Sequence, residues 1–428
     1  MIHARRYHPT NFKFFTWLMR YTYGLWLRRA YRIVAINAEL FKELKPPFIL
    51  VGNHTTLLDP FIANAFVPFP IHWVASDGNM RTPIMRFLLI KLVGSIPKSK
   101  AIPDIETVNW IVDIIRRKHG VVGMYPEGQS TWTGTPFPAF HSSAKLLRLL
   151  RVPVVLAKTR GGYLTKPRWS HIRRPGKVEI AFSVLFTPEQ LRTTPIADID
   201  AALNNALAYD DTEWCKREAI RFESARGAES LELALYICPK CGAKASLHSN
   251  GNRFACDRCD FSVEYGADGS FALPPGSADP VFLPPFSSEP FLESIAHWDK
   301  LQSAFMQAEL AEWLRAARRG PIFSDENIQL KKGKRIDSMK TMLRGRIDLF
   351  IDRLEFRDAH KPGSATGPLI FPLDTVEGEG VLKWNFFEFY QGMNVYRVVF
   401  GDPKASGRKY ADAIGLLHEL SHSHLPGR

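Results

Sequence analysis

The stretch FILVGNHTTLLDP, residues 48–60, decides the fold. It opens as an apolar run of strand length, and Gly52-Asn53-His54 follows at what becomes the strand's carboxyl end. Open α/β sheets bind ligands at the carboxyl ends of their strands, so His54 and Asp59, five positions apart, form the first candidate site. Asp59-Pro60 also fits the N-cap and first position of a following helix, which would account for Asp59 without any chemistry.

Working outward, further apolar runs of strand length lie at 71–76, 121–127, 152–158 and 178–186. Helical patterns fit between them. Asp104 starts one whose apolar residues Ile105, Val108, Ile111, Val112 and Ile115 keep helical spacing, and Ser142 or Ser143 is placed to cap another running through Leu150. The alternation predicts an α/β domain with a mostly parallel sheet over residues 39–230. Thr187-Pro-Glu-Gln190 has the form of a capping box and begins helical sequence reaching about Ala225.

Beyond it, residues 236–265 form a cysteine-rich module, and 266–290, with six prolines between Pro274 and Pro290, read as a linker. A long helix is expected within 291–319, closed by Gly320-Pro321. Short alternating runs over 322–400 and a final helix resemble a small β-rich, PH-like domain, so 291–428 is taken as one module.

The chain has 428 residues, of which 45% are hydrophobic and 23% charged, which excludes a fibrous or disordered protein and fits two to three domains. A formal net charge of +13 favours an anionic partner: nucleic acid, a lipid surface or a phosphorylated substrate. Its distribution narrows that choice. Residues 1–38 carry Arg5, Arg6, Lys13, Arg20, Arg28, Arg29 and Arg32 and no acid, and within 12–34 these cations interleave with Phe, Trp and Tyr. That combination suits a bilayer interface, although a helix packed on the protein's own core is the plainer alternative. No run of 18 apolar residues and no signal-peptide pattern occurs, so the expected location is the cytoplasmic face of the membrane, held peripherally.

Cys238-Pro-Lys-Cys241 and Cys256-Asp-Arg-Cys259 present four thiolates from two tight knuckles, the donor set of a tetrahedral structural Zn²⁺. Gly242 can supply the positive φ of the first knuckle, and the segment between the pairs fits a two-stranded ribbon. Four cysteines leave no vacancy for His248, a redox role for either pair explains less, and Cys215 reads as an inert thiol.

The His54/Asp59 spacing is weak evidence alone, since His72 and Asp77 repeat it inside an apolar run where His72 faces a core or a neighbouring strand. His54 differs in its company: Gly94-Ser-Ile-Pro-Lys98, Tyr125-Pro126-Glu127-Gly128, and Val152-Pro153-Val154-Val155. With these blocks, residues 40–190 resemble the glycerophospholipid acyltransferase family, that of 1-acylglycerol-3-phosphate acyltransferase. The resemblance implies that His54 and Asp59 are the catalytic dyad, that Glu127 and Gly128 help bind a phosphorylated acceptor, and that Pro153 shapes the pocket wall. Two departures stand out. The family's Glu-Gly-Thr-Arg is here Glu127-Gly128-Gln129-Ser130, without the arginine, and Lys98 and Lys100 follow Pro97 where the family has Arg. Lys98, Lys100, Lys158 and Arg160 are the candidate replacements.

The chemistry is coherent on physical grounds. A hydroxyl attacking a thioester needs a base titrating near neutrality, which imidazole provides, and a carboxylate on its other nitrogen fixes the tautomer. Oxyanion donors are sought at the helix start after Asp59 or near Gly128. The expected activity moves an acyl chain from acyl-CoA or acyl carrier protein to a lysophospholipid hydroxyl at a membrane phospholipid surface. Alternatives are transfer to glycerol 3-phosphate or an amino-lipid, and, from another class, a zinc-ribbon nucleic-acid-binding adaptor; no nucleic-acid partner is expected. Lys331-Lys-Gly-Lys334-Arg335 reads as a solvated hairpin turn sooner than a phosphate loop, and His418, His422 and His424 as a polar tail sooner than a metal site.

Overall fold

Residues 9–99, 105–288, 291–359 and 367–423 are described by the computed structural model. The chain forms two units. One comprises Met1–Arg168, Ile172–Ser224 and Ala267–Gly269; the other comprises Trp169–His171, Ala225–Gly266 and Ser270–Arg428.

The apolar runs of the first unit become β1 (Ile33–Ile36), β2 (Phe48–Gly52), β3 (Ile71–Ser76), β4 (Ile96–Lys98), β5 (Val121–Met124), β6 (Val154–Arg160) and β7 (Val178–Phe186). They lie in the order β1-β7-β6-β2-β5-β3-β4. Only the β6–β7 pairing is antiparallel, so the sheet is mostly parallel as expected. In order along the chain, the helices used below are α1 (Lys13–Tyr21), α2 (Tyr23–Ala30), α3 (Asp59–Asn64), α4 (Ile105–Val112), α5 (His141–Leu150), α6 (Pro188–Thr193) and α7 (Ile196–Leu207).

Every residue of β2 is buried, because helices cover both faces of the sheet at its centre. Ile49 and Val51 join a core with Trp110, Leu147 and Leu203 from α4, α5 and α7, while Phe48 and Leu50 join another with Leu27 of α2 and Ile62 of α3. Leu27 is thus a core residue, and Gly24 lies so close to α3's end that a Cβ there would meet Ala65 at 3.3 Å. The packed-helix alternative therefore holds for α2.

Local signals account for most helix ends. The capping box of α6 forms in both directions, Thr187 Oγ1 accepting from the Gln190 N–H and Gln190 Oε1 from the Thr187 N–H. The serines expected to cap α5 lie inside its first turn instead, since the helix starts at His141 after an extended Phe140. Asp104 lies outside the described residues.

In the second unit β8 (Leu247–Asn250), β9 (Arg253–Cys256), β10 (Ser262–Tyr265) and β11 (Phe271–Ala272) form an antiparallel sheet in the order β11-β10-β9-β8. The expected two-stranded ribbon is its β8–β9 hairpin. Part of the proline-rich segment packs. Phe271, Phe282 and Phe286 are buried, Phe271 against Trp298 at 5.5 Å and Phe286 against Phe305 at 5.8 Å, both partners on the long helix α8 (Ile295–Arg315).

The remaining strands are β12 (Phe323–Gly333), β13 (Lys340–Leu349), β14 (Arg353–Asp358), β15 (Leu369–Pro372), β16 (Glu377–Leu382), β17 (Phe386–Gln391) and β18 (Asn394–Phe400). They form one antiparallel sheet, order β15-β14-β13-β12-β18-β17-β16, and α9 (Arg408–Ser423) buries Tyr410, Ile414 and Leu417. This is the β-rich domain with a terminal helix that the pattern of short runs predicts.

Candidate active site

β2 pairs in parallel with β5 on one side, Val51 opposite Met124, and with β6 on the other, Gly52 opposite Ala157. Three carboxyl ends therefore share one rim, and the segments that leave them meet there. His54 Nδ1 lies 2.9 Å from Asp59 Oδ2. Asp59 is buried, whereas the His54 side chain keeps 15% of its surface, so one edge of the imidazole is tied and the ring still reaches solvent.

The Asp59 carboxylate accepts two further bonds, from Thr55 Oγ1 at 2.8 Å and from the Thr56 N–H at 2.9 Å. All three partners precede it in sequence. It does not cap α3 in the ordinary sense, because its oxygens turn back to the 54–56 turn instead of forward to the helix's first N–H groups.

The backbone of His54 is held on both sides. Its N–H donates to Glu127 Oε1 at 2.8 Å, and its carbonyl accepts from the Thr131 N–H at 2.9 Å. Glu127, buried, uses its other oxygen to accept from the Phe137 N–H at 3.0 Å. Burial pushes the Glu127 carboxyl up to about 7, against the lowering effect of these two bonds, with the Asp59 charge adding to the rise. Gly128 has φ +73°, its N–H donates to the Tyr125 carbonyl at 3.0 Å, and a Cβ there would strike the Phe140 ring at 2.4 Å, so only glycine closes this turn.

At the end of β6, Thr159 exchanges two bonds with the buried Asn53 amide, each 2.7 Å, fixing the residue before His54. Sequence reasoning takes in Asn53 and Tyr125 within their blocks without giving either a role, and does not reach Thr131. Their partners lie some 70 to 106 positions away, beyond the reach of any local pattern.

The other candidates scatter. Lys98 ends β4, three strands from β2, and donates to the Ser99 carbonyl at 2.6 Å. Lys100 lies outside the described residues. Pro153 precedes β6 at its amino end, where its carbonyl accepts from the Ile49 N–H at 2.9 Å; the sheet's length separates it from His54. Lys158 donates to the carbonyls of Ala206 and Ala208 at the end of α7, and Arg160 lies 3.9 Å from Glu179. A cation not singled out from sequence, the buried Arg168, donates from Nη1 to the Ser130 carbonyl at 2.8 Å and lies over the Trp132 ring at 4.2 Å.

His72 and Asp77 do not meet as a pair. His72 Nδ1 donates to the Gly94 carbonyl at 2.8 Å inside the core, and Asp77 accepts from Arg81 and from Ser99 Oγ.

In the second unit Cys238, Cys241, Cys256 and Cys259 bring their sulfurs within 4.8 Å of one another. Cys238 Sγ is 3.7 Å from Cys259 Sγ, and Cys241 Sγ is 3.8 Å from Cys256 Sγ. A tetrahedron of thiolates around a metal at about 2.3 Å has edges of about 3.8 Å, so the four residues fit one ion. His248 lies outside this shell, with Nδ1 2.9 Å from Asp257.

At the N-terminus Phe14 and Trp17 of α1 are 60% and 55% exposed, and the strand-like stretch before it is pinned to the 87–93 helix by Thr10 N–H to Ile90 and Phe12 N–H to Leu92 bonds. That neighbourhood adds Ile84 and Phe87 to the exposed apolar surface. Arg20 donates to the Phe66 and Val67 carbonyls, and Arg28 lies over the Phe66 ring at 4.1 Å. His418 belongs to α9, donating to the Leu373 carbonyl at 3.0 Å, so it lies in a packed helix and not in the expected frayed polar tail. The side chains of His422 and His424 lie outside the described residues.

Residues 32–156 match the family model described as Acyltransferase, a span that holds His54, Asp59 and Glu127. Among solved structures, the 1-acyl-sn-glycerophosphate acyltransferase of Thermotoga maritima is similar at 17% identity and a TM-score of 0.38, covering 48% of this chain and 81% of that one. No curated protein matches the chain. The match to the acyltransferase family model thus falls on β1 to β6 of the first unit.

Proposed function

We propose that the protein transfers an acyl chain from a thioester, acyl-CoA or acyl carrier protein, to a hydroxyl of a lysophospholipid such as 1-acylglycerol 3-phosphate. The observation that carries this reading is the 2.9 Å His54–Asp59 contact on the sheet's carboxyl rim, inside the matched acyltransferase span. With Nδ1 engaged by Asp59, Nε2 is the nitrogen left to take the acceptor's proton. The acceptor oxygen then bonds to the thioester carbonyl carbon, the tetrahedral intermediate collapses, and the departing thiolate recovers the proton from the imidazolium. Ester and thiol are the products, with no covalent enzyme intermediate.

Glu127 serves this scheme as the tie between the His54 turn and the 128–137 loop. Gly128 gives that loop its turn, and Arg168, brought to Ser130, is the cation suited to an acceptor phosphate where the sequence lacks the family's arginine. The four cysteines would hold a structural Zn²⁺, far better matched to a closed thiolate shell than to catalysis. Attachment is peripheral, at the cytoplasmic face, through α1 and the 84–87 surface; among the described residues no helix is long and apolar enough to cross a membrane.

The test is acyl transfer from labelled palmitoyl-CoA, and in parallel from labelled palmitoyl-acyl carrier protein, to a panel of 1-acylglycerol 3-phosphate, other lysophospholipids, glycerol 3-phosphate and amino-lipids. A labelled phosphatidic acid, absent with His54→Ala, supports the reading, and no transfer to any acceptor from either thioester carrier overturns it.

A further inference from the structure

Three aromatic rings lie face to face across three neighbouring strands at the site. Trp73 of β3 stacks on Tyr125, just past β5, with centroids 5.2 Å apart and planes 4° from parallel. Tyr125 stacks on His54, just past β2, at 4.4 Å and 20°. The strand order β2-β5-β3 sets this sequence of rings.

The sheet makes room for the stack with two glycines. A Cβ on Gly123 would come within 2.5 Å of the Trp73 ring, and one on Gly52 within 3.0 Å of the Tyr125 ring and 2.8 Å of the Ala157 carbonyl. Trp73 Nε1 donates to Asn64 Oδ1 at 3.3 Å, which anchors the outer ring. Each freedom of the imidazole is thereby restrained: its Nδ1 edge by Asp59, its backbone by Glu127 and Thr131, and one face by Tyr125. Enclosure by protein pushes the Tyr125 phenol well above its usual range, so it presents a neutral ring.

We propose that Tyr125, backed by Trp73, is a positioning residue for His54, its ring face fixing the imidazole plane. The inference rests on the acyl-transfer reading and deepens it. Tyr125 acts through His54, and its face, not its hydroxyl, carries the effect.

The experiment compares full-length wild type, His54→Ala, Tyr125→Phe, Tyr125→Leu and Trp73→Leu with labelled palmitoyl-CoA and 1-oleoylglycerol 3-phosphate. Tyr125→Leu should lower kcat by about 10- to 100-fold, the range for a slightly misplaced catalytic group. KM should stay within about threefold in that variant, and Tyr125→Phe should stay within about threefold of wild type in both constants. Trp73→Leu should fall between them. Independently of turnover, the His54 Cε1–H resonance, assigned by its loss in His54→Ala, should lie upfield under the Tyr125 ring current, move downfield in Tyr125→Leu and stay in Tyr125→Phe. An unmoved resonance or wild-type kcat in Tyr125→Leu overturns the proposal, as does a Tyr125→Phe variant as impaired as Tyr125→Leu. If Tyr125→Leu fails to fold, a Trp73→Leu protein with both unmoved resonance and wild-type kcat overturns it equally. A fully active His54→Ala would overturn His54 as the base, and a wild type without transfer would overturn the acyl-transfer reading, while the resonance still decides whether the stack holds the ring.

Discussion

The Asp59 carboxylate turns back along the chain to His54, Thr55 and Thr56, so its loss is felt at the imidazole and not at the start of α3. Asp59→Asn should lower kcat by roughly 10²–10⁴-fold with little change in melting, because an amide can hold the wrong imidazole tautomer. His72→Ala, which removes a buried bond to Gly94, should cost about 1 kcal/mol of stability and leave turnover within a few-fold. Glu127 gives a pH signature. Its folded value of about 7 lies above the ordinary 4.5, so between those values the folded protein holds a proton that the unfolded chain releases. Stability from this group therefore falls as pH rises from about 4.5 to 7 and is level outside that window. Asp211, also buried and pushed up to about 7, contributes a slope in the same direction. The readout is thus the difference between denaturation curves of wild type and Glu127→Gln, whose slope across the window should be shallower although its amide cannot accept both backbone bonds.

At the scale of elements, the two N-terminal helices divide the work that one amphipathic pattern suggested. α2 buries Leu27 and Gly24 in the sheet domain, while α1 keeps Phe14, Trp17 and Tyr21 at the surface. The cations divide within each helix instead, Arg20 of α1 and Arg28 of α2 being half-buried and Lys13 of α1 and Arg29 of α2 exposed. Arg28 lies against Phe66, and burial lowers its pKa, so reversing its charge would damage packing as well as membrane attraction. Lys13 and Arg29 are exposed and make the cleaner pair. Their joint reversal to Glu should weaken binding to anionic vesicles strongly, at about 1 kcal/mol per charge near the surface, and Phe14→Ser with Trp17→Ser should weaken binding to neutral vesicles too. Sedimentation unchanged by either double variant would remove α1 as the attachment.

Across the molecule, the second unit is organised around the ribbon stem. Gln302 Oε1 accepts from the Tyr236 and Ile237 N–H groups, and Trp298 Nε1 donates to the Ile237 carbonyl at 3.2 Å, immediately before the first metal-ligand candidate. Arg408 of α9 joins the same stem through the Ala234 carbonyl at 3.0 Å and meets Asp299 of α8 at 2.7 Å. One Zn²⁺ per chain is expected by metal analysis. Cys238→Ser should abolish it and raise hydrogen exchange through both the 236–265 ribbon and α8, because metal affinity is folding free energy in so small a module. Normal protection of α8 in a zinc-free variant would place the metal's influence in the ribbon alone.

What the sequence by itself determined is whatever depends on neighbours along the chain. The apolar run of β2, the capping box of Thr187 and Gln190, the paired cysteine knuckles and the five-residue step from His54 to Asp59 all close within one turn or one strand, so spacing and residue type suffice to specify them. Tertiary structure alone decided which face Asp59 serves, that His72 and Asp77 part company, and that Pro153 and His54 occupy opposite ends of the sheet. It also brought Glu127, Tyr125, Trp73 and Arg168 to their places, through the parallel pairing of β2 with β5 and β6 and of β3 with β5 and through the packing of the loops that leave them. The physical reason is that pairing register joins residues tens of positions apart through burial and hydrogen bonds that a linear pattern does not encode.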